Sequence, residues 1–127
     1  MDFDAGSFNV VIDKGTLDAI FTDSNPKVID DVMQMFKEVS RVLRVGGRYI
    51  CITLAQNHIL DKLVDHFTKG WFIRVHRIMA ISTDKQTSPL PVFAFVFTKT
   101  KLAGKHCLLR LNLYRGLVCM VVQTATL

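Results

Sequence analysis

A helical pattern bounded by two β-rich runs constrains the fold of this chain more than any other feature. Apolar residues recur on one helical stripe after Asn25 and Pro26, a pair that is typical of a helix start. Phe8 to Ile12 and Arg48 to Leu54 are apolar runs rich in β-branched residues, as in strands that are buried on both faces. A strand, a helix and a strand with short links predict a right-handed unit with parallel strands.

The rest of the chain continues this α/β pattern. Gly46-Gly47 is expected to close the helix in the left-handed conformation that glycine tolerates. A second helix fits His58 to Thr68, and further strands fit Trp71 to Ile78 and Pro91 to Thr98. Because no helical pattern separates these two strands, we expect an antiparallel pair. After Thr100 the pattern leaves two alternatives open, one more strand pair or a poorly packed extension.

Charge is distributed unevenly along the chain. The net charge is +5, and all eleven acidic residues lie at or before Asp84. The excess positive charge lies in the last part of the chain, on Lys99, Lys101, Lys105, Arg110 and Arg115. This stretch lacks the interleaved aromatic residues that support base stacking, so we interpret it as a solvated tail and predict no nucleic-acid partner.

Cysteine usage and hydropathy predict a soluble, cytoplasmic protein. The three cysteines, Cys51, Cys107 and Cys119, are widely spaced and form no disulfide framework or metal-binding pair, which indicates a reducing compartment. The N-terminus is acidic and does not resemble a signal peptide, and the apolar run from Leu117 to Val122 is too short to span a bilayer. We therefore predict no membrane partner. The histidines lack ligand spacing, so we predict no metal site.

Polar residues follow both strands of the predicted parallel unit. Asp13, Lys14, Gly15 and Thr16 end the first run, as when a buried strand delivers polar groups to the mouth of an α/β sheet. The alternative is a simple turn, in which the aspartate accepts backbone N–H groups and the glycine supplies an unusual dihedral angle. Gln56 and Asn57 follow the second run at the same edge, where Asn57 could instead cap a helix that begins at His58.

Four segments carry a family resemblance: SFNVVIDKGTLDAI, EVSRVLRVGGRYICITLAQNHIL, GWFIRVHRI and LPVFAFVFTK. Together they resemble the N-terminal methyltransferase domain of the methyltransferase-like 13 family, the dual elongation factor 1-alpha methyltransferases. The likeness covers about residues 1–100; DKGTLDA is its most specific part, whereas VLRVGGR is similar to many class I methyltransferases. The resemblance implies an α/β fold, the C-terminal half of a class I, seven-stranded, Rossmann-like sheet without its first three strands. It implies a partial methyltransferase domain at 1–100 and a divergent basic and apolar tail at 101–127.

The same resemblance implies a function and a site. It implies S-adenosylmethionine as cofactor and methylation of a lysine of elongation factor 1-alpha, in the cytoplasm. The implied site has a cofactor edge, Asp13, Lys14, Gly15, Thr16 and Leu17, and a substrate side, Asp18, Gln56 and Asn57. Asp13 is the implied catalytic group. A carboxylate beside the transferable methyl would stabilise the substrate ammonium before it loses its proton, and Asp13 or Asp18 could supply it, although Asp18 could equally be an exposed charge on the following helix.

This sequence also departs from the family pattern. The glycine-rich loop after the family's first strand and the acidic residue after its second strand are both absent, which leaves open whether the isolated chain is active. The alternative function is that of a non-catalytic truncated fragment, either an interaction module or an inactive product. The strand at Phe8 to Ile12 would then have an open edge that invites pairing with a second copy, unless the tail folds back to cover it.

Overall fold

The structure, a computed structural model, describes residues 2–78 and 91–101, together with two later strands. Its elements in chain order are β1 (Phe8–Lys14), α1 (Thr16–Ile20), α2 (Pro26–Val42), β2 (Leu43–Thr53), α3 (Asn57–His66), β3 (Trp71–Ile78), β4 (Val92–Lys99), β5 (Cys107–Tyr114) and β6 (Leu117–Thr124). The predicted strand at Trp71 to Ile78 is confirmed to the residue. The other predicted elements are present with boundaries that differ by at most five residues, and the largest difference is at the start of β2.

The first four strands form one mixed sheet in the order β1-β2-β4-β3. β1 and β2 are parallel and joined through α1 and α2, which confirms the predicted strand–helix–strand unit. β4 lies between β2 and β3 and runs antiparallel to both, which confirms the predicted antiparallel pair. The carboxyl ends of β1 and β2 consequently meet at one edge of the sheet, where polar groups after each strand come close together.

The start of α2 follows the sequence signal closely. The Asn25 side-chain oxygen accepts a 3.0 Å hydrogen bond from the Lys27 N–H, and Pro26 occupies the first turn, where its missing N–H has no cost. One stripe of the helix, including Val32, Phe36 and Val39, is buried. The capping signal and the apolar period therefore agree with the observed helix.

The prediction that Gly46-Gly47 closes α2 is wrong. The helix ends at Val42, and both glycines lie inside β2, where Phe8 pairs with Leu43 but Val10 pairs with Arg48. Between these two pairs β2 contains more residues than β1, and the shift in register accommodates them. Gly46 has φ +82°, and a Cβ at Gly47 would lie 2.8 Å from the Arg44 carbonyl oxygen, so these glycines serve a bulged strand start.

The core lies between one face of the sheet and the helices. Its buried aromatic residues pack against one another, with the Phe67 and Phe97 rings stacked at 4.6 Å and the Phe36 and Phe67 rings edge-on at 5.2 Å. The second face of the sheet has no helix over it among the elements that the structure describes. The side chains of Val10 and Ile12 on that face are 45% and 66% exposed.

The chain after Thr100 forms a strand pair, the first of the two alternatives. β5 and β6 form an antiparallel, two-stranded sheet of their own. β6 approaches β3, whereas β1 is at the opposite edge of the four-stranded sheet. The expectation that the tail covers the edge of β1 is therefore wrong, and no strand among those described pairs with that edge. None of the helices in these ranges is long and apolar enough to cross a membrane.

Candidate functional site

The carboxyl ends of β1 and β2 border an open cavity. In the register of the two strands Lys14 pairs with Ile52, and the Gly15 N–H donates a 3.2 Å hydrogen bond to the Ile52 carbonyl oxygen. The cavity has a volume of about 370 Å³ and is lined by Lys14, Gly15, Asp18, Ile52, Thr53, Leu54 and Val92. The structure thus brings together three of the residues that the sequence assigned to a site, namely Lys14, Gly15 and Asp18.

Gly15 makes the turn between β1 and α1. Its φ is +77°, in the left-handed region that favours glycine, and it precedes the first helical residue, Thr16, which is exposed. No atom would lie within 4 Å of a Cβ added at Gly15. The glycine is therefore required by the backbone conformation, and the space beside it is open toward the cavity.

The Asp13 carboxylate points away from the cavity and into the protein, with Asp13 only 5% exposed. Oδ1 accepts a 2.8 Å hydrogen bond from the Thr16 N–H, and both oxygens accept from the Leu17 N–H at 3.3 and 3.2 Å. The Tyr49 hydroxyl donates to Oδ2 at 3.1 Å. These contacts match the alternative of a turn held by Asp13, and its catalytic and cofactor roles stay predictions.

Leu17 is a core residue in this structure. Its side chain is 1% exposed, and its N–H is engaged by Asp13. This position excludes direct contact between the Leu17 side chain and a ligand in the cavity. Any contribution of Leu17 to a cofactor edge comes through the shape of the turn that it anchors.

The groups beneath the turn are kept in their protonated forms. Burial, with the neighbouring Cys51 and Asp13, raises the pKa of the Tyr49 phenol well above its usual range, so the hydroxyl remains a donor. Burial and the charge of Asp13 raise the pKa of the Cys51 thiol to about 12. Cys51 is fully buried, so it is a small core residue and not a reactive thiolate.

Asp18 and Thr53 connect α1 to the end of β2 at the rim of the cavity. The Thr53 hydroxyl donates a 2.7 Å hydrogen bond to Asp18 Oδ1, and the Leu54 N–H lies 3.4 Å from Oδ2. The Thr53 hydroxyl oxygen also accepts from the Ala55 N–H at 3.1 Å, and Ala55 has φ +53°. Thr53 was missed in the sequence, although a polar residue at the end of a buried strand is the same signal that indicated Asp13.

Comparison with known proteins identifies relatives of the chain. A human protein named eEF1A lysine and N-terminal methyltransferase is 52% identical over 105 residues, and the Bos taurus protein of that name is 53% identical over 105 residues. Each alignment covers 78% of this chain. The chain is a homologue of part of the eEF1A lysine and N-terminal methyltransferases. No family model matches it.

This methyltransferase homologue spans about 15% of the length of those two relatives. The relative of the same name from Danio rerio is 45% identical over 111 residues, which are 86% of this chain and 16% of that protein. A Bos taurus protein named EEF1A lysine methyltransferase 4 is 39% identical over 80 residues, which are 58% of this chain and 31% of that protein. The resemblance stated from the sequence motifs is confirmed.

Gln56 and Asn57 lie at the start of α3 and do not line the cavity of the methyltransferase homologue. Both are exposed. The alternative in which Asn57 caps a helix at His58 is wrong, because Asn57 is the first helical residue and Gln56 precedes it without a side-chain cap. His58 Nε2 lies 2.9 Å from the Phe21 carbonyl oxygen, which ties α3 to the end of α1. The substrate roles of Gln56 and Asn57 stay predictions.

The cavity of the methyltransferase homologue fits one wall of an S-adenosylmethionine site. Ile52, Leu54 and Val92 offer apolar surface, and Gly15 permits close approach to the backbone. The single carboxylate in the lining, Asp18, accepts a hydrogen bond from the Thr53 hydroxyl, which holds it at the rim of the cavity. Within the described residues, no group of three His, Cys, Asp or Glu side chains could hold a metal ion.

Proposed function

We propose that this chain forms part of an S-adenosylmethionine-dependent protein methyltransferase and that its target is a lysine of elongation factor 1-alpha. The 52% identity with the human relative over 105 residues carries this proposal. The name of that relative joins a lysine activity and an N-terminal activity. The further match to a protein named only for lysine methylation supports the lysine.

The proposal includes a place for the sheet in a larger fold. We interpret the four strands as the C-terminal half of a seven-stranded, Rossmann-like class I sheet. The parallel pair β1–β2 and the antiparallel β4 between β2 and β3 support this interpretation. In such a sheet the outer edge of β1 pairs with a further strand. We also propose that this edge can pair with a second copy of the chain, as a homo-oligomeric contact.

In this proposal the residues around the cavity bind and orient the cofactor and the substrate lysine, and they take part in no covalent step. When bound, S-adenosylmethionine supplies an electrophilic methyl group on sulfur. Lys14 and Gly15 form the rim on the β1 side, while Ile52, Leu54 and Val92 exclude water from one side. A lysine amine reacts only when it is deprotonated and in line with the methyl–sulfur bond, so positioning supplies much of the rate.

We place the protein in the cytoplasm, where elongation factor 1-alpha acts. The buried, free thiol of Cys51 is compatible with a reducing compartment. The partners in this proposal are elongation factor 1-alpha as substrate and a second copy of the chain, with neither a nucleic acid nor a membrane required for the reaction.

Cofactor binding and methyl transfer by the purified 127-residue chain test the proposal. Binding of S-adenosylmethionine is measured by isothermal titration calorimetry, and recombinant elongation factor 1-alpha is incubated with methyl-labelled cofactor and mapped by mass spectrometry. Leu54→Glu places a charge in the cavity wall, and Val45→Glu is the matched control, since these side chains are 38% and 48% exposed.

We expect binding and a labelled lysine with the unaltered chain and with Val45→Glu, and at least tenfold weaker binding with Leu54→Glu. A chain that melts cooperatively but neither binds the cofactor nor labels a lysine contradicts the proposal. That result would favour the non-catalytic fragment.

A further inference from the structure

Asp18 is the one carboxylate among the residues that line the cavity at the carboxyl ends of β1 and β2. The Asp13 carboxylate faces the core, where it accepts hydrogen bonds from two backbone N–H groups of α1 and from the Tyr49 hydroxyl. In doubly wound folds ligands bind in the crevice at this edge of the sheet. A substrate that enters the cavity therefore meets the carboxylate of Asp18.

Thr53 fixes the direction of the Asp18 carboxylate. Thr53 is 1% exposed, and its hydroxyl donates a 2.7 Å hydrogen bond to Asp18 Oδ1. The Leu54 N–H lies 3.4 Å from Asp18 Oδ2. Because Thr53 is buried, water does not compete for its hydroxyl, and the carboxylate is held in one orientation at the rim.

The backbone after β2 adopts an unfavourable conformation that completes this contact. The Ala55 N–H donates to Thr53 Oγ1 at 3.1 Å, so the hydroxyl has both its acceptor and its donor engaged. Ala55 has φ +53°, and among the described residues it is the only one other than glycine with a positive φ. Residues held in such conformations cluster at binding and catalytic sites. The fold thus keeps a costly dihedral angle where it serves the orientation of Asp18.

The Asp18 carboxylate can accept further hydrogen bonds. A carboxylate offers about four lone-pair sites, and Thr53 and Leu54 are its two donors within the part of the chain that the structure describes. Lys14 lines the same cavity, but the two described side chains of Lys14 and Asp18 form no ion pair with each other. A carboxylate that is oriented at a cavity and is not neutralised by its neighbour is suited to bind a cation.

The rest of the cavity wall matches the stem of a lysine. Ile52, Leu54 and Val92 present apolar surface in the same lining as Asp18. Lysine joins a flexible, apolar, four-carbon stem to a compact ammonium with three donors, so the stem can pack on this wall while the ammonium reaches the carboxylate. A metal ion is a poorer match, because no three His, Cys, Asp or Glu side chains of the described residues converge on one point.

We propose that Asp18 binds the ammonium of the substrate lysine and that Thr53 is the positioning residue that orients it. This inference rests on the proposed function, since it names the residues that receive the lysine of that reaction. Asp18 holds the amine through a charge-assisted hydrogen bond and takes part in no covalent step. Thr53 acts only through Asp18, because its hydroxyl is buried and both of its hydrogen bonds are made within the protein.

Two small probes that differ only at the end of one side chain test the proposal with the full 127-residue chain. They are Nα-acetyl-lysine methylamide and Nα-acetyl-norleucine methylamide, which lacks the ammonium. An NMR titration follows the backbone amides of Gly15, Leu54 and Ala55. We expect the lysine probe to shift these amides and to bind at least about tenfold tighter than the norleucine probe, as for one hydrogen bond between charged groups. Equal affinities, or no binding of the lysine probe, would overturn the proposal.

Substitutions assign the preference for lysine to individual residues. Asp18→Asn keeps the size of the side chain and removes its charge, so the preference should disappear. Thr53→Val should lower it by about threefold or more, and Thr53→Ser, which keeps the hydroxyl, should restore it. Asp30→Asn alters an exposed carboxylate of α2 and should leave it unchanged. A purely structural role of Thr53 would lower stability without changing the ratio of the two affinities. A preference that survives Asp18→Asn, or that Thr53→Val leaves in full, contradicts the assignment.

The probes need no cofactor, so this test and the test of methyl transfer can fail separately. A chain that prefers the lysine probe but transfers no methyl group contradicts the proposed function and supports the role of Asp18. Methyl transfer by a chain that has no such preference supports the proposed function and overturns the role of Asp18.

Discussion

Tyr49 on β2 and Asp13 on β1 are joined by a 3.1 Å hydrogen bond across the parallel strand pair, from the phenol to carboxylate Oδ2. Both residues are buried, and the same carboxylate holds the first N–H groups of α1. The turn at the rim of the cavity is therefore tied to the centre of the sheet through one side chain. This relationship makes the position of the turn depend on the core.

Tyr49→Phe should lower the free energy of unfolding by about 1–2 kcal/mol, because a buried carboxylate loses one of its donors while the ring volume is kept. Chemical denaturation at constant pH measures the change. Asp13→Asn should cost stability as well, and the double variant should cost less than the sum of the two single changes. Strictly additive losses would show that the hydrogen bond does not couple the two residues.

Most of the fold was predictable because its signals are local. The Asn25-Pro26 start of α2 and the strand predicted at Trp71 to Ile78 each depend on neighbouring residues, and the structure confirms both. The glycine pair was misjudged because a glycine in the left-handed region serves a helix end and a strand bulge equally well. Only the pairing with β1 distinguishes a strand bulge from a helix end. That pairing, of Val10 with Arg48, joins residues that are far apart in the sequence.

The candidate site was predictable in its location and less so in its orientation. Residues after parallel strands meet at one edge whatever their side chains do, and Lys14, Gly15 and Asp18 indeed line one cavity. Sequence does not say whether a carboxylate at a strand end faces the cavity or the core. Asp13 faces the core because the Leu17 N–H and the Tyr49 hydroxyl lie there, and Tyr49 is 36 residues away in the chain.

Lys99→Met should destabilise the protein by about 1–3 kcal/mol, because it leaves two carbonyl groups at the end of α2 without their donor. The Lys99 ammonium donates to the Ser40 carbonyl oxygen at 2.6 Å and to the Leu43 carbonyl oxygen at 2.8 Å. Thermal unfolding of Lys99→Met beside Lys101→Met, which alters an exposed neighbour, measures the difference. Equal losses in both variants would contradict a specific role for Lys99.

The substitutions Gly15→Ala and Ala55→Gly should change the free energy of unfolding in opposite directions. Gly15→Ala puts a Cβ at φ +77° with free space around it, so it should cost about 1 kcal/mol through the backbone alone. Ala55→Gly relieves an alanine held at φ +53° and should stabilise the fold by about 0.5 kcal/mol after the entropic loss. Urea unfolding tests both signs, and a stabilising Gly15→Ala would refute the argument.

The stability of the protein should fall as the pH falls below 6.5 because of His66. Burial, followed by the charge of Lys37, lowers the pKa of His66 from its ordinary value of 6.5. The unfolded chain then binds a proton at a pH where the folded chain does not, so the contribution of His66 is complete above pH 6.5 and is lost as the pH falls toward the folded pKa.

Unfolding free energies measured between pH 5 and pH 8 would show this slope, and His66→Gln should reduce it. His76→Gln, which alters an exposed histidine on β3, should leave the slope as it is. If His66→Gln keeps the full slope, another group is responsible for it.

Thr53→Val should weaken the rim of the cavity while it keeps the shape of the side chain. The hydroxyl donates to Asp18 Oδ1 at 2.7 Å and accepts from the Ala55 N–H at 3.1 Å, so valine removes one donor from the carboxylate and the acceptor of the amide. We expect a loss of about 1–3 kcal/mol in unfolding free energy, since Thr53 is buried. Thr53→Ser keeps the hydroxyl and should lose less. Because the pair fixes α1 against the end of β2, amide exchange at Leu54 and Ala55 should also accelerate in Thr53→Val, and unchanged exchange would show that the rim is held by other contacts.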